Sequence, residues 1–394
     1  MQKRLLLFLV LISPYPAVVA CAQSFVSGPS KTAVIATLKP HNLAEAQWAM
    51  QQQPVTVTAQ TSPRSAGGRH DFFSEGDYWW PDSTNLDGPY IQRDGLTNPN
   101  NFVAHRQALI RFSRIVGALA SAYVLTHDER YIQQAFRHLN AWFVDPATRM
   151  TPSLLYAQAI KGRFTGRGIG IIDTIHLMEV AQGLRTMEKA KNIDKQSVLA
   201  IRRWFADYLT WLTTHPYGKD EMNAKNNHGT CWVMQVAAFA RLTNNDSLLN
   251  VCRNRYKNSL LPDQMAADGS FPQELRRTKP YGYSLFNLDA MTTICQIASI
   301  PTDNLWTYQT ADGRTIRQGI TYLYPFVQSK AKWPLKPDVM YWNDWPVAHP
   351  FLVFGAITFG QNEWFDTWTK LDHNPQVDEV LRNLPIRNPI IWLN

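Results

Sequence analysis

"ALIRFSRIVGALASAYVLT", residues 108–126, decides the fold class, because its apolar residues recur at helical spacing over about five turns. The same spacing recurs in "RYIQQAFRHLNAWF" (130–143), "TIHLMEVAQGLRTM" (174–187) and "VLAIRRWFADYLTWL" (198–212). Runs that alternate between apolar and polar residues, which would indicate half-buried strands, are scarce. These patterns predict an all-α protein.

The rest of the chain extends this helical pattern. No sequence repeat of fixed period is present, which argues against a solenoid. A polar leader at 23–40 precedes the helices, and a long loop at 67–101 interrupts them. We therefore expect an incomplete (α/α) toroid of helical hairpins with long active-site loops, built as a single catalytic domain over residues 25–394. Further helices are predicted at 230–242, 247–261, 285–298 and 314–327, with a closing pair within 350–371.

The composition is that of a globular protein with a sizeable core and a modest positive charge. Of the 394 residues, 45% are apolar and 18% are charged. Lys and Arg number 39 against 31 Asp and Glu, which gives a net charge of +8. The cations are dispersed and no zinc-finger or RNA-binding signature occurs, so we predict no nucleic-acid partner. An anionic polysaccharide or small molecule suits this charge pattern.

Residues 1–21 have the pattern of a secretory signal peptide. Lys3 and Arg4 precede an apolar run, Leu5–Ile12, that is too short to span a bilayer. Two processing sites overlap at its end: a lipoprotein site that would leave Cys21 lipidated, and an A-x-A site for ordinary signal peptidase. We expect export to the periplasm, or anchoring through Cys21 as an outer-membrane lipoprotein, in a Gram-negative bacterium.

The loop segment "DYWWPDSTNLDGPYIQRDGLTNP", residues 77–99, is a candidate wall of a sugar-binding cleft. It is too rich in Pro and Gly to be helical, and it brings the aromatic rings of Trp79 and Trp80 near the cation of Arg93. A surface loop packed down by its tryptophans is the alternative, and the sequence does not decide between the two.

A second loop segment, residues 152–177, places Tyr156 and Gln158 before a glycine-rich turn that contains Arg167. The turn lacks a Walker motif and a strand–turn–helix context, so its glycines are better explained by structure than by phosphate binding. Arg167 beside them can still reach an anionic group.

Two polar segments at helix starts, "KNNHGTCW" (225–232) and "DGSFPQELRRTKPYGYSLFNLDAM" (268–291), contain the residue types that one reaction needs. Breaking a uronic-acid glycoside by β-elimination removes the proton at C5, next to a carboxylate. Donors must therefore neutralise that carboxylate and stabilise the developing enolate. A base must take the proton, and an acid must protonate the departing O4.

Four residues of these segments suit the tasks. Asn227 and Arg277 can bind the carboxylate, while His228 and Tyr283 can act as base and acid. A guanidinium near Tyr283 would favour the phenolate form and so help it act as a base as well. The reaction requires no metal and no cofactor, and no H-E-x-x-H or carboxylate-rich metal motif occurs.

Several motifs together carry a family resemblance. They are "YWWPD" (78–82), "GRGIGIID" (166–173), "NNHG" (226–229) and "ELRRTKPYGYSLFNLDAM" (274–291). With them the chain resembles the alginate lyase superfamily of α/α-toroid polysaccharide lyases, and within it the bacterial family that acts on alginate or glucuronan. The similarity extends over about residues 77–371.

The resemblance implies roles for individual residues. Asn227 and Arg277 match the carboxylate neutralisers of the family, and His228 matches its base or the partner of its base. Tyr283 matches the acid, which for mannuronate-type sugars also serves as the base. The implied reaction is metal-independent β-elimination that leaves unsaturated uronate ends.

Other assignments within the same segments stay open. Arg276 and Tyr283 have the seven-residue spacing of better-known alginate lyases, but the Glu-x-x-Arg match selects Arg277. Arg276 and Tyr281 therefore remain alternatives to Arg277 and Tyr283. The predicted substrate contacts are Trp79, Trp80, Arg93, Tyr156, Gln158, Arg167, Lys225, Asn226, Glu274 and Tyr281.

Three functional alternatives accompany the leading prediction of an alginate lyase. A glucuronan lyase would use the same site. An inverting α/α-toroid glycoside hydrolase needs two carboxylates that flank the bond, and Asp77, Asp82, Asp94 and Glu274 form no convincing pair. A non-catalytic polysaccharide-binding lipoprotein would have no need of His228 and Tyr283. The sequence predicts neither the oligomeric state nor the preference among mannuronate, guluronate and glucuronate.

Overall fold

The computed structural model describes residues 28–393, which fold into helices joined by loops. The predicted signal peptide, residues 1–21 with Cys21, lies outside the described residues. The α-helices are α1 (Lys31–Met50), α2 (Ala104–Thr126), α3 (Arg130–Phe143), α4 (Leu177–Met187), α5 (Lys195–Thr214), α6 (Pro216–Met222), α7 (Asn227–Leu242), α8 (Asp246–Arg255), α9 (Leu261–Gln264), α10 (Pro272–Leu275), α11 (Pro280–Ala298), α12 (Ile316–Gln328), α13 (Pro350–Phe359), α14 (Asn362–Trp368) and α15 (Asp378–Arg382).

These helices pack in two layers. α2, α4, α7, α11 and α13 contact one another in that order and form a curved inner layer. α1, α3, α5, α8, α12 and α14 lie outside, each against at least one inner helix. The C-terminal 3-10 segment Pro389–Trp392 packs on α1, α2 and α4, at the start of the arc. The prediction of an all-α toroid is thereby confirmed.

The helices predicted from periodicity are present, but several of their ends differ. The helix predicted at 198–212 begins earlier, at Lys195, because the Asp194 side chain accepts hydrogen bonds from two backbone N–H groups of the first turn. The helix predicted at 174–187 begins later than expected, at Leu177. Thr174 is instead the last residue of a 3-10 segment, Gly168–Thr174.

The predicted polar leader at 23–40 is corrected for its described part, since α1 begins at Lys31. The Ser30 side chain accepts a hydrogen bond from the N–H of Ala33 and caps the helix. Val34 and Leu38 are buried where α1 packs on α2. The prediction failed because polar residues dominate this stretch and its apolar stripe is short. Pro40, which lies within the helix, also favoured the prediction of a loop.

One hydrophobic core extends through the described residues, from Val34 to Leu393. α7 and α11 are buried on nearly every side because both layers cover them. α2 is long and apolar enough to cross a membrane by length and composition alone, but 67% of its most apolar window is buried inside the fold. A single catalytic domain over 25–394 remains a prediction that the continuous core supports.

Strands are few in the described residues and lie in the long loops. β1 (Phe73–Glu75) pairs in parallel with β4 (Tyr156–Ala159), and β2 (Trp79–Trp80) pairs antiparallel with β3 (Ile91–Gln92). β1 contacts α2, and β4 contacts the 3-10 segment that precedes α4. These contacts attach the loop of residues 77–99 to the helices.

Candidate active site

The two segments predicted to share a site meet where α7 and α11 begin. The two helices pack side by side, and their first turns border a cleft of about 450 Å³. Helix N-termini carry partial positive charge, which favours an anionic ligand at this end. Of the predicted site residues, the cleft is lined by Trp79, Gln158, Arg167, Asn226, Asn227, His228, Arg277 and Tyr283.

The start of α7 has a conformation that its sequence dictates. Asn226 has extended backbone angles, and its side chain accepts a hydrogen bond from the N–H of His228 over 3.3 Å, which makes it the helix cap. A Cβ atom at Gly229 would lie 2.2 Å from the carbonyl oxygen of Ala224, so only glycine fits this close turn. Cap and glycine together direct Asn227 and His228 toward the cleft.

Glu274 holds Asn227 in place. The Glu274 carboxylate accepts hydrogen bonds from the backbone N–H of Asn227 (2.7 Å) and from its side-chain Nδ2 (2.8 Å). Burial raises the pKa of Glu274, and the hydrogen bonds from Asn227 act in the opposite direction. The second amide hydrogen of Asn227 is left for a partner in the cleft. Glu274 is buried and does not line the cleft, which corrects its prediction as a substrate contact.

His228 is oriented by a carboxylate that lies on α6. Nδ1 of His228 is 2.8 Å from Oε1 of Glu221, whose side chain is fully buried. A carboxylate oxygen accepts, so Nδ1 carries the hydrogen and Nε2 of the neutral imidazole keeps its lone pair. The histidine can therefore accept a proton at Nε2.

Arg277 is fixed at the rim of the cleft by the loop of residues 77–99. Its Nη2 donates to Oδ1 of Asp94 over 2.8 Å, and Thr278 donates to the other oxygen of that carboxylate over 2.9 Å. Burial alone would lower the pKa of Arg277, but Asp94 raises it above its ordinary value. The guanidinium stays charged, and its remaining N–H groups are available to an anionic ligand.

Tyr283 lies in the first turn of α11 and shares a short hydrogen bond with Tyr78. Their hydroxyl oxygens are 2.6 Å apart, and Nη2 of Arg277 donates to the Tyr283 oxygen over 3.3 Å. Burial raises the pKa of Tyr283 well above its ordinary value, and Lys279 and Arg277 oppose this shift without reversing it. Arg277 thus acts in the direction expected of a neighbouring guanidinium, but burial has the larger effect and favours the protonated phenol.

A buried ion pair lies behind the two tyrosines. The ammonium of Lys279 pairs with Glu379 on α15, and its Nζ lies 4.9 Å and 5.3 Å from the ring centroids of Tyr78 and Tyr283. The charge of Glu379 raises the pKa of Lys279 against the effect of burial. The C-terminal helix thus fixes the cation against which the two phenol rings pack.

A further carboxylate, Asp77, lines the cleft. It accepts hydrogen bonds from Arg106 (2.7 and 3.1 Å) and forms an ion pair with Arg382 (2.8 Å). Burial by itself would raise the pKa of Asp77, but the two arginines lower it to about 2. Asp77 therefore stays ionised and is committed to its two cations.

Arg167 lies on the opposite wall and makes no ion pair with a described residue. Its Nε donates to the carbonyl oxygen of Gln158 over 2.8 Å, and its guanidinium lies 5.8 Å from the ring centroid of Trp79. Burial lowers the pKa of Arg167 to about 10, so the group remains a cation at neutral pH. Gln158 has a φ of 50°, a strained conformation for a residue other than glycine.

Two residues kept as alternatives do not line the cleft. Tyr281 is fully buried, donates from its hydroxyl to the carbonyl oxygen of Phe326 (3.1 Å) and packs on Trp333 and Trp342. It points away from Tyr283 because residues two apart on a helix do not share a face. Arg276 is exposed. The structure therefore favours Arg277 and Tyr283 and corrects Tyr281 as a substrate contact.

Four more predicted contacts lie outside the cleft lining. Trp80 follows Trp79 on β2, and alternation along a strand turns its ring to the other side of the hairpin, where exposed Arg93 stacks on it at 5.3 Å. Tyr156 belongs to β4 and does not line the cleft. Lys225 is exposed and lies 3.6 Å from Asp263. Trp80, Arg93, Tyr156 and Lys225 therefore lie outside the cleft, and their contact with substrate stays a prediction.

Sequence reasoning missed the residues that hold the catalytic candidates in position. Tyr78 appeared only within a quoted loop motif, Asp94 only as a candidate hydrolase carboxylate and Lys279 only within the segment 268–291. Glu221 gave no signal of its own. Glu221 precedes His228 by seven residues across a helix break, so no helical spacing relates them. Only the folded chain brings these pairs together.

Within residues 28–393, no group of three or more His, Cys, Asp or Glu side chains is arranged to hold a metal ion. Cys231, Cys252 and Cys295 are buried free thiols. The cationic side chains that line the cleft are those of Arg167, Arg277 and Arg382, of which Arg382 is paired with Asp77.

Comparison with known proteins gives a consistent result. The family model described as alginate lyase matches residues 56–333. The crystal structure of an alginate lyase from Bacteroides ovatus has a TM-score of 0.79 and 29% identity, over 93% of this chain and 98% of that chain. Alginate lyase A1-III from Sphingomonas species A1, a histidine-to-alanine variant complexed with a tetrasaccharide, has a similar fold (TM-score 0.52, 16% identity, 80% of this chain and 86% of that chain). No curated protein sequence matches the chain.

The matched segment includes every predicted site residue that lines the cleft, from Trp79 to Tyr283. It covers well over half of the chain, and the Bacteroides ovatus structure extends the likeness to nearly all of it. The chain therefore belongs to the alginate lyase family and is a polysaccharide lyase.

Proposed function

We propose that the protein cleaves 1,4-linked polyuronates, with alginate as the first substrate, by metal-independent β-elimination that leaves unsaturated uronate ends. One observation carries the proposal. A single cleft contains donors for a carboxylate (Asn227 and Arg277), an acceptor nitrogen (His228) and a protonated phenol (Tyr283). Neither glycoside hydrolysis nor non-catalytic polysaccharide binding needs all four groups at once.

The first step is neutralisation of the uronate carboxylate. Asn227 offers one amide hydrogen, because Glu274 takes the other, and Arg277 offers guanidinium N–H groups beside Asp94. These fixed donors stabilise the enolate that forms when C5 loses its proton. Because the required charge comes from side chains, we expect activity to persist after treatment with a chelator such as EDTA.

The second step is removal of the C5 proton. Nε2 of His228 is the free acceptor, since Nδ1 donates to Glu221. The negative charge of Glu221 would stabilise the imidazolium that forms as the proton arrives. This arrangement suits a base on the face of the sugar ring opposite the leaving oxygen.

The third step is protonation of the departing O4. The raised pKa of Tyr283 keeps its hydroxyl protonated, and the hydrogen bond to Tyr78 orients it. In mannuronate the C5 hydrogen and O4 are syn, so Tyr283 would also have to act as base there. The positive charges of Arg277 and Lys279 must then lower the cost of forming phenolate.

Glucuronan is the second candidate substrate, and it would use the same site. Glucuronate and mannuronate differ only at C2, so in both sugars the C5 hydrogen and O4 are syn and Tyr283 can serve both steps. In guluronate they are anti, so the base must lie across the ring from Tyr283, and the His228–Glu221 pair suits that task. Polyguluronate should therefore depend strongly on His228, whereas polymannuronate and glucuronan should depend mainly on Tyr283.

The hydrolase alternative finds less support in the cleft. An inverting hydrolase needs one carboxylic acid and one carboxylate that activates water. Asp77 and Asp94 are the carboxylates that line the cleft, and each accepts hydrogen bonds from arginine. Arginine keeps the pKa of both groups below the ordinary value, which removes the acid.

Export to the periplasm, or anchoring in the outer membrane through Cys21, is also part of the proposal. It rests on residues 1–21 of the sequence alone. Expression of the full chain in a Gram-negative host, with fractionation of the wild type and of Cys21→Ser, tests it. Membrane retention that Cys21→Ser abolishes supports lipidation, and recovery of both forms in the soluble periplasmic fraction supports ordinary cleavage.

Separate incubations with polymannuronate, polyguluronate and glucuronan test the activity. The ultraviolet absorbance of unsaturated uronate should rise with at least one polymer. Reducing ends without that absorbance would indicate hydrolysis, and binding without either product would indicate a non-catalytic protein. With His228→Ala, activity should fall more on polyguluronate than on polymannuronate or glucuronan, and the opposite order would overturn the assignment of the base.

A further inference from the structure

A second cavity of about 880 Å³ lies on the far side of the β2–β3 hairpin from the cleft, and Asp77 and Arg382 line both spaces. Its size falls in the range of roughly 300–1,000 Å³ that is usual for small-molecule sites. This second cavity has among its lining residues Trp48, Trp80, Arg111, Tyr341 and Arg387.

Aromatic faces form part of the wall of the second cavity. Alternation along β2 turns Trp79 to the cleft and Trp80 to the second cavity. Trp48 enters from α1, and Tyr341 enters from the loop before α13 with a strained φ of 64°. Arg114 lies 4.2 Å from the ring centroid of Trp48 and Arg93 lies 5.3 Å from that of Trp80, so only the opposite face of each ring can pack on the face of a sugar ring.

Two cations of the second cavity lack a carboxylate partner among the described residues. The guanidinium of Arg111 donates only to neutral oxygens of Gln53 (3.2 Å) and Gln52 (2.8 Å). Arg387 forms no ion pair through its side chain, although its backbone N–H donates to Glu179. Burial lowers the pKa of Arg387, which means that its charged form is destabilised by the loss of contact with water. An anionic ligand beside the guanidinium would offset this destabilisation.

The other arginines of the wall are neutralised, which makes these two distinct. Arg114 is held bidentate by Glu45, at 2.6 and 2.8 Å. Arg106 and Arg382 share Asp77. Of the acidic lining groups, Asp77 and Glu379 are likewise paired within the fold, and Asp378 is exposed with Gln107 as its hydrogen-bond donor. The charge left for a ligand is therefore positive.

We propose that the second cavity binds a short oligouronide, with sugar carboxylates on Arg387 and Arg111 and sugar faces on Trp48 and Trp80. The choice of ligand rests on the proposed polyuronate lyase function. The site would be separate from the cleft, divided from it by the hairpin and by the Asp77–Arg382 pair, and would retain a substrate chain or a released product beside the active site.

Calorimetric titration of the full chain with a saturated mannuronate trisaccharide tests this proposal. Tyr283→Phe is used as the background, so that the probe is not consumed. Two binding events per chain are expected. Adding Arg387→Gln should weaken one event by about tenfold or more, since a charge-assisted hydrogen bond is lost, and should leave the other unchanged.

Arg111→Gln provides a second variant in case Arg387→Gln affects folding, and it should weaken the same event. Arg203→Gln removes an equal charge from an exposed position on α5 and should change neither event. A single event that neither cavity variant alters, together with unsaturated product from the wild type, would overturn the second site and leave the lyase function standing. Absence of both binding and product would overturn the lyase function as well.

Discussion

Oε1 of Glu221, at the buried end of α6, lies 2.8 Å from Nδ1 of His228 in the first turn of α7. The pair fixes the tautomer of the histidine and turns Nε2 into the acceptor of the cleft. Because the carboxylate has no exposure to water, its charge acts on the imidazole with little screening.

Glu221→Gln should therefore lower kcat by about 10²-fold or more with little change in KM, because the amide cannot stabilise an imidazolium and can donate to Nδ1. Steady-state kinetics on polyguluronate measures this. Glu188→Gln, which breaks only the partly exposed ion pair with Arg202, is the matched control. A kcat that stays within about threefold of the wild type would show that Glu221 does not act through His228.

Tyr283→Phe and Tyr281→Phe form a second matched pair. Loss of the Tyr283 hydroxyl should lower kcat by about 10²- to 10⁴-fold on every polyuronate that is cleaved, because the leaving oxygen loses its acid. Tyr281→Phe should retain activity and lose about 1 kcal/mol of stability, since its hydroxyl donates to Phe326 inside the fold. Initial rates and denaturant unfolding separate the two effects. Full activity in Tyr283→Phe would reject the assignment of the acid.

Arg167→Gln should weaken substrate use through binding, because this half-buried cation has no carboxylate partner among the described residues. A hydrogen bond to a charged group contributes about 1.5–3 kcal/mol, so kcat/KM should fall by about 10- to 100-fold. Arg163→Gln is the control, since Arg163 stacks on Trp79 at 5.4 Å but is exposed and does not line the cleft. Equal losses in both variants would indicate that only the general positive field matters.

Asp77 predicts a specific dependence of stability on pH. Its pKa is lowered to about 2 in the folded chain from an ordinary value of 3.8, so the folded state favours the ionised form. The resulting stabilisation, about 2 kcal/mol, is fully present above the ordinary value and is lost as pH falls toward about 2. Denaturant unfolding of the wild type from about pH 6 to about pH 3 should show roughly 1 kcal/mol of this loss.

Asp77→Asn should remove that component of the acid sensitivity. The variant is also expected to be less stable at neutral pH by about 3–5 kcal/mol, because Arg106 and Arg382 lose a buried partner. The slope of unfolding free energy against pH is therefore the informative quantity, rather than the stability itself. An unchanged slope would mean that other buried carboxylates dominate acid unfolding.

The sequence was informative where one residue serves a local purpose. Helical periodicity identified the inner helices. The adjacent Asn226 and Asn227 indicated a helix cap and a hydrogen-bond donor for the substrate carboxylate at the start of α7. The sequence was misleading where the direction of a side chain depends on its position in an element. Trp80 is adjacent in sequence to Trp79, and Tyr281 is two residues from Tyr283, but neither side chain lines the cleft. It missed α1, whose apolar stripe is thin.

What the sequence by itself determined is the all-α architecture and the types of group at the site, because helical spacing and residue chemistry are properties of short segments. Only the tertiary structure decided which groups meet. The pairs Glu221–His228, Asp94–Arg277 and Tyr78–Tyr283 join residues from separate elements. A hydrogen bond requires its two atoms to lie about 3 Å apart, and the number of residues between two positions in the chain does not determine that distance. The orientation of His228 and the raised pKa of Tyr283 therefore follow from how the elements pack.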